Sequence, residues 1–120
     1  MPEADDVLRF FKEFKEADKK IHRYLPKVAA GYEAMFGGSM KPGALDAAQK
    51  EAIALGIAVA QHCTPCIKIH VYKCLNAGME RAEILEAAGV AVLMGGGPAY
   101  THLAEVIRVL DALDPEDDEQ

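Results

Sequence analysis

The chain of 120 residues carries a formal net charge of −6 at pH 7, and about half of its residues are apolar. This length fits one domain with its own hydrophobic core and leaves no room for a second domain. The sequence has no basic cluster with interleaved aromatic residues, which is the pattern typical of nucleic-acid-binding proteins. We therefore expect no nucleic-acid partner.

Neither the first residues nor the longest apolar run is typical of a secreted or membrane protein. Residues 1–6 lack the basic start and apolar stretch of a secretory signal. The longest run of apolar residues and glycine, residues 52–60, is about half as long as a membrane span. We therefore expect a cytoplasmic protein with no membrane partner. Thiols are kept reduced there, so a close cysteine pair indicates chemistry or metal binding.

The spacing of apolar residues predicts six helices and no strand. Pro26 suits the first turn of the second helix, and the glycine pair at 37–38 is expected to end it. Asp46 is a predicted N-cap for the third helix, which is apolar nearly all round and must be buried on several sides. The predicted helices cover, in chain order, residues 3–20, 26–35, 47–61, 65–76, 80–94 and 100–113, with a glycine loop at 95–98.

These helices predict a single all-α domain over residues 1–113, folded as a six-helix bundle. Residues 114–120 carry five acidic residues and no basic one, and we expect this acidic tail to be disordered. A lone domain of this size leaves roughly a third of its unfolded surface exposed. The apolar helices exceed what one monomer can hide, which predicts an obligate homo-oligomer.

The residues with the clearest chemical signal are Cys63, Cys66 and His70. A C-x-x-C pair can close a small disulfide ring, and a helix start favours the thiolate because backbone N–H groups point at it. With Thr64 as the predicted cap, Cys66 lies in the first helical turn and benefits most. His70 lies four residues later on the same face, where its ring can accept the thiol proton or stabilise the thiolate.

Glu51 is the predicted third participant in this chemistry. It precedes a long apolar run, so a partly buried position suited to proton transfer is one interpretation, and pairing with Lys50 or solvent is the other. If the third and fourth helices are antiparallel, their rise places Glu51 level with Cys74 or slightly above His70, and away from Cys63. The spacing therefore predicts that Glu51 reaches the cysteines through His70, a water molecule or a splayed helix crossing.

Cys74 raises a metal-binding alternative. Cys66, His70 and Cys74 are spaced four residues apart, and Cys63 lies just before the helix, so a zinc ion or an iron–sulfur cluster has potential ligands. These residues span about 12 Å along the helix, however, which one ion cannot bridge. The other interpretation of Cys74 is a small residue of the hydrophobic core.

With these residues laid out, the sequence resembles the AhpD-like branch of the carboxymuconolactone decarboxylase family. The resemblance covers about residues 40–113 and rests on Glu51, the apolar run at 52–60, the Cys63–Cys66 pair and His70, and then on residues 76–78 and 84–87. It implies an all-helical fold and a homo-oligomer, commonly a trimer or hexamer.

The resemblance also implies a function. In the AhpD-like branch the two cysteines cycle between dithiol and disulfide while they reduce a peroxide or relay electrons from a partner thiol protein. The glutamate and histidine form a proton relay, which in this chain means Glu51 and His70. The expected partners are thus a peroxide or disulfide substrate and a thiol or thioredoxin-like reductant, and no cofactor or resident metal is expected.

The sequence departs from the best-known AhpD proteins just before the second cysteine. Those proteins carry a histidine there, whereas this chain has Pro65 and places His62 outside the pair. The departure puts efficient peroxidase activity in doubt. The decarboxylase branch typically lacks the cysteine pair, which disfavours lactone decarboxylation. A decarboxylase-like enzyme or a non-catalytic oligomeric scaffold stays a third alternative beside the thiol enzyme and the metal protein.

Overall fold

A computed structural model of the chain describes residues 2–115 and the side chains of residues 5–115. Within these residues the chain is all-α, as predicted, with no strand. The larger part of the predicted acidic tail, residues 116–120, lies outside the described residues. The helices are α1 (Pro2–Tyr24), α2 (Pro26–Met40), α3 (Ala47–Ala60), α4 (Thr64–Asn76) and α5 (Arg81–Leu113).

The helix count differs from the prediction by one, because the last two predicted helices are joined as the two arms of α5. The backbone of Gly96 leaves the helical region, at φ 66° and ψ −151°, and interrupts the helix in a kink between these arms, inside the predicted glycine loop. Pro98 lies at the start of the second arm, where its missing N–H is tolerated. The predicted end of α2 was also wrong: the helix runs through the glycine pair to Met40, because neither glycine adopts a positive φ.

The core forms where α3, α4 and α5 pack against one another. Asp46 caps α3 as predicted, with its Oδ1 accepting from the Gln49 backbone N–H at 2.7 Å and the Gln49 Oε1 accepting from the Asp46 N–H at 2.9 Å. The helix α4 ends just before Gly78, whose left-handed φ of +89° turns the chain away from the helix axis. The largest fully buried side chains are Val7, Leu55, Val59, Ile67, Val71, Cys74, Ile84, Val106, Val109 and Leu110.

The first two helices form a hairpin on the outside of this core. α1 packs against α5 and α2, and its Val7 is fully buried. His22 joins the two helices: its Nδ1–H donates to the Asp18 carbonyl at 2.8 Å, and its Nε2 bonds to Glu33 on α2. The Asp18 carbonyl first, and then the Glu33 carboxylate, raise the pKa of His22. A protonated His22 therefore strengthens the hairpin.

No helix within the described chain combines the length and the hydropathy needed to span a membrane.

Candidate active site

The two cysteines of the C-x-x-C pair form a disulfide at the start of α4. The chain leaves α3 through His62, which adopts a left-handed φ of +57°, and then reverses into α4. Cys63, rather than the predicted Thr64, is the N-cap of α4. Cys63 and Cys66 are disulfide-bonded with their Cα atoms 5.2 Å apart, and both are half-buried.

The backbone hydrogen bond at this helix start goes to Cys63. The Cys66 N–H donates to the Cys63 Sγ at 3.3 Å, in the manner of an N-cap side chain. An amide N–H and the positive end of the helix dipole both favour negative charge on the atom that receives them. Sequence reasoning gave this advantage to Cys66. The observed cap gives it to Cys63 instead, because α4 begins one residue earlier than predicted.

Glu51 and His70 form a hydrogen-bonded pair between α3 and α4. The His70 Nδ1 lies 2.9 Å from the Glu51 Oε2, and Glu51 is only 8% exposed. A carboxylate accepts hydrogen bonds, so Nδ1 carries the proton in this contact and Nε2 of the neutral ring is left to accept one. The structure thus places Glu51 beside His70 and not beside Cys63, as the rise of two antiparallel helices predicted.

Phe36 and Lys73 complete the surroundings of His70. The Phe36 ring stacks on the His70 ring, with centroids 6.4 Å apart and an interplanar angle of 18°. The Lys73 ammonium lies 4.0 Å from the centroid of the same Phe36 ring, within range of a cation–π interaction. Sequence reasoning missed Phe36 because it ended α2 at residue 35, and no local pattern connects α2 with His70.

A second pair of rings lies at the turn before the disulfide. His62 stacks on His102 of α5, with centroids 5.0 Å apart and an interplanar angle of 21°. The His102 Nδ1–H donates to the Pro98 carbonyl at 2.8 Å, which anchors the ring to the kink of α5. No local pattern in the sequence connects His102 with this turn, since the contact depends on how α5 crosses it.

Cys74 lies apart from the disulfide, inside the hydrophobic core. It is a free, fully buried thiol. Burial, and to a smaller degree the charge of Glu51, raise the pKa of Cys74 to about 12. Among the described side chains no group of three or more His, Cys, Asp or Glu residues is arranged to hold a metal ion. The metal-binding alternative therefore has no ligand set in this part of the chain.

The opposite face of α4 is tied to α5 by a largely buried ion pair. The Lys68 Nζ lies 2.9 Å from the Glu105 Oε1 and also 5.1 Å from the centroid of the Phe10 ring. Arg108 donates two hydrogen bonds to the same carboxylate. Although burial opposes the charged form, the hydrogen bonds from Arg108 and Lys68 lower the pKa of Glu105. These charges hold α4, and with it the helix start that bears Cys63 and Cys66, in register with α5.

The fold and the site define a class: a small all-α protein with a cysteine-pair disulfide at a helix start and, on the same helix, a histidine hydrogen-bonded to a glutamate of the preceding helix. A family model described as the carboxymuconolactone decarboxylase family matches residues 26–108. The chain belongs to this family, as the resemblance to its AhpD-like branch predicted.

Solved structures of the same family agree with this assignment. A carboxymuconolactone decarboxylase family protein from Legionella pneumophila is 33% identical, with a TM-score of 0.84 over 89% of this chain and 96% of that one. A family protein from Thermotoga maritima, for which a part in an antioxidative response has been suggested, is 27% identical, with a TM-score of 0.79 over 88% and 89%. An uncharacterised protein from Haemophilus influenzae is 32% identical over 98 residues, 82% of this chain and 84% of that protein.

Proposed function

We propose that the protein is a thiol-dependent redox enzyme that cycles Cys63 and Cys66 between dithiol and disulfide, with a hydroperoxide or a small disulfide as the oxidant. The observation that carries the proposal is the half-buried Cys63–Cys66 disulfide at the start of the helix whose His70 is hydrogen-bonded to Glu51. The suggested antioxidative part of the Thermotoga protein is consistent with this activity.

In the proposed cycle Cys63 attacks first. The Cys66 N–H and the helix dipole favour a thiolate at Cys63, and the thiolate is the nucleophilic form. The Cys63 sulfur attacks the terminal oxygen of the hydroperoxide, the O–O bond breaks, and the alkoxide takes a proton to leave as an alcohol. The sulfenic acid on Cys63 then condenses with the Cys66 thiol, which forms the disulfide and releases water.

Protons in this cycle are moved by His70 and Glu51. His70 lies one helical turn beyond Cys66, so it is placed to take the Cys66 proton when that thiol attacks the sulfenic acid. Glu51 holds Nδ1 and stabilises the imidazolium that results. Two thiols and one hydroperoxide thus give one disulfide, one alcohol and one water. A low-molecular-weight thiol or a thioredoxin-like protein restores the dithiol.

The experiment is a titration of the reduced protein. One equivalent of cumene hydroperoxide or hydrogen peroxide is expected to remove two free thiols and to lower the intact mass by about 2 Da. Cys66→Ser keeps the attacking thiol but has no resolving partner, so its sulfenic acid should be trapped by dimedone. Cys63→Ser should give no adduct at Cys66 on the same time scale, and Cys74→Ser should behave as wild type.

Two results would decide against the proposal. Reduced protein that loses no thiols with either peroxide, and none with a small disulfide such as oxidised glutathione, is not a thiol redox enzyme. Equal dimedone labelling of Cys63→Ser and Cys66→Ser would leave the activity in place but refute the assigned order. In His70→Ala the first step should persist, while disulfide closure should slow by about 100-fold, which is typical of losing general base catalysis.

We also propose that the protein works as a homo-oligomer, a trimer or hexamer. Four exposed apolar side chains line one shallow groove between α3 and α5, here called the α3–α5 patch: Ile53, Ile57, Val90 and Met94. Met94 is 87% exposed, and apolar patches of this kind mark protein interfaces. Light scattering should show that Met94→Glu dissociates the assembly, whereas Leu25→Glu, an exposed position outside the patch, should not. A monomeric wild-type protein would refute the proposal.

A further inference from the structure

A cavity of about 510 Å³ lies between α1, α2 and α4, beside the proposed proton relay. Its volume falls within the range of small-molecule sites, about 300–1,000 Å³. The walls are mostly aromatic and aliphatic, with only a few polar groups among them, as in most ligand sites. The principal apolar lining residues are Phe14, Ile21, Val28, Tyr32, Phe36 and Ile69.

The polar groups that line the cavity differ in how far they are already paired. His22 is hydrogen-bonded to the Asp18 carbonyl and to Glu33, so these three residues satisfy one another. Lys73 is different: its ammonium rests on the Phe36 ring, and among the described residues it forms no ion pair with a carboxylate. A half-buried cation at the edge of an apolar cavity selects for a ligand with one negative group and an apolar body.

The cavity is close to the chemistry that the cysteines are proposed to carry out. Phe36 is its wall toward the relay, since the same ring stacks on His70. Ile69 and Lys73 follow Cys66 on α4, at axial distances of about 4.5 Å and about 10 Å. A ligand whose anionic end pairs with Lys73 can therefore extend along Ile69 toward the disulfide.

We propose that this cavity binds amphipathic carboxylates, with the carboxylate on Lys73 and the apolar chain against Phe36 and Ile69. The proposal rests on the function proposed above in one respect: it names organic hydroperoxides that carry a carboxylate as the substrate class. Binding itself needs no redox step. It can therefore be measured on the disulfide form, independently of catalysis.

The first test is calorimetric titration of the oxidised protein with octanoate and with 1-octanol, which has the same chain and no charge. Octanoate should bind saturably, and 1-octanol at least tenfold more weakly. Lys73→Gln should weaken the binding of octanoate at least tenfold and leave the binding of 1-octanol unchanged. Lys27→Gln removes an exposed lysine of α2 outside the cavity and should change neither titration.

A second variant tests the cavity rather than the charge. Val28 is 62% exposed at the cavity wall, so Val28→Trp can fill the space without disturbing the core, and it should abolish binding of both probes. The proposal is overturned if the Val28→Trp variant still binds octanoate, or if Lys73→Gln does not change the affinity for octanoate. If wild type binds neither probe and Val28→Trp breaks the assembly in light scattering, the cavity is covered by a second copy of the chain, which also overturns it.

Catalysis separates this proposal from the proposed function. With a hydroperoxide of a fatty acid as oxidant, Lys73→Gln should raise the concentration needed for half-maximal thiol loss at least tenfold. The increase for hydrogen peroxide, which has no carboxylate, should be much smaller than the increase for the fatty-acid hydroperoxide. If octanoate binds as described but no peroxide or disulfide oxidises the cysteines, the ligand site is confirmed and the proposed redox function is refuted. An equal effect of the variant on both oxidants refutes the substrate class.

Discussion

We predict that Cys74 does not react with alkylating reagents in the folded, reduced protein. Burial, and then the Glu51 charge, raise the pKa of Cys74 from an ordinary 9.0 to about 12. Because each pKa unit changes the thiolate fraction tenfold, Cys74 holds roughly 1,000-fold less thiolate at pH 8 than an ordinary thiol. Its zero exposure lowers the rate further, because the reagent must wait for the fold to open locally.

The assay is intact-mass spectrometry of reduced protein during labelling with iodoacetamide at pH 8. Two adducts should form, first on Cys63 and then on Cys66, and a third should appear only when guanidinium is added. In Cys74→Ala the first two adducts should form at the wild-type rate, and no third should follow. In Glu51→Gln the third adduct should still be slow, since burial is the larger cause of the raised pKa.

The opposite result has a clear meaning. Three adducts that form at similar rates in folded protein would show that Cys74 is accessible and ionisable, which contradicts the burial argument. It would also return Cys74 to the set of possible metal ligands beside the cysteine pair.

Three further predictions concern the scaffold. Glu105→Gln leaves the Lys68 charge without its carboxylate and should lower the free energy of unfolding at pH 7 by about 2–3 kcal/mol, measured by chemical denaturation. The control Glu86→Gln, at an exposed position, should leave the free energy of unfolding almost unchanged. Because the folded pKa of Glu105 is lowered, this difference should shrink as the pH falls through that pKa. Gly96→Ala forces a side chain into a backbone region that is nearly glycine-only and should lose about 1–3 kcal/mol, while Gly97→Ala, with open space and an ordinary φ, should be neutral. The raised pKa of His22 stabilises the fold below its unfolded value, and the benefit is lost as the pH rises through the folded pKa, so His22→Gln should lower the wild-type Tm at pH 5.5 more than at pH 8.

The fold could be predicted from the sequence wherever a local signal acts alone. The apolar spacing gave the helices, and the Asp46 side chain and Gly78 gave two of their ends correctly. Other glycines behave differently from one another. The glycine pair at 37–38 stays helical inside α2, whereas Gly96 interrupts α5 within the predicted glycine loop. A glycine permits a positive φ, but the packing of the surrounding helices decides whether that freedom is used.

The candidate site could be predicted only in its local part. The rise of two adjacent antiparallel helices predicts that Glu51 lies near His70 or Cys74 and away from Cys63, but it left the direct hydrogen bond to His70 as one of several possible routes. Phe36 and His102 could not be predicted, since each reaches the site from a helix distant in sequence whose crossing is set by tertiary packing. The sequence also placed the start of α4 one residue late, and therefore expected the helix start to favour Cys66, whereas in the structure the Cys66 N–H points at the Cys63 sulfur.

Three residues that the sequence places on one face of α4 differ in their burial and in their partners. Cys66, at the start, is half-buried and disulfide-bonded; His70, in the middle, is hydrogen-bonded to Glu51; Cys74, one turn further, is fully buried. The Glu51 carboxylate contacts His70 and also acts on Cys74. It accepts the hydrogen bond from His70, and its charge adds to burial in raising the pKa of Cys74. The carboxylate that orients His70 thus also helps to keep the Cys74 thiol protonated and out of disulfide exchange with Cys63 and Cys66.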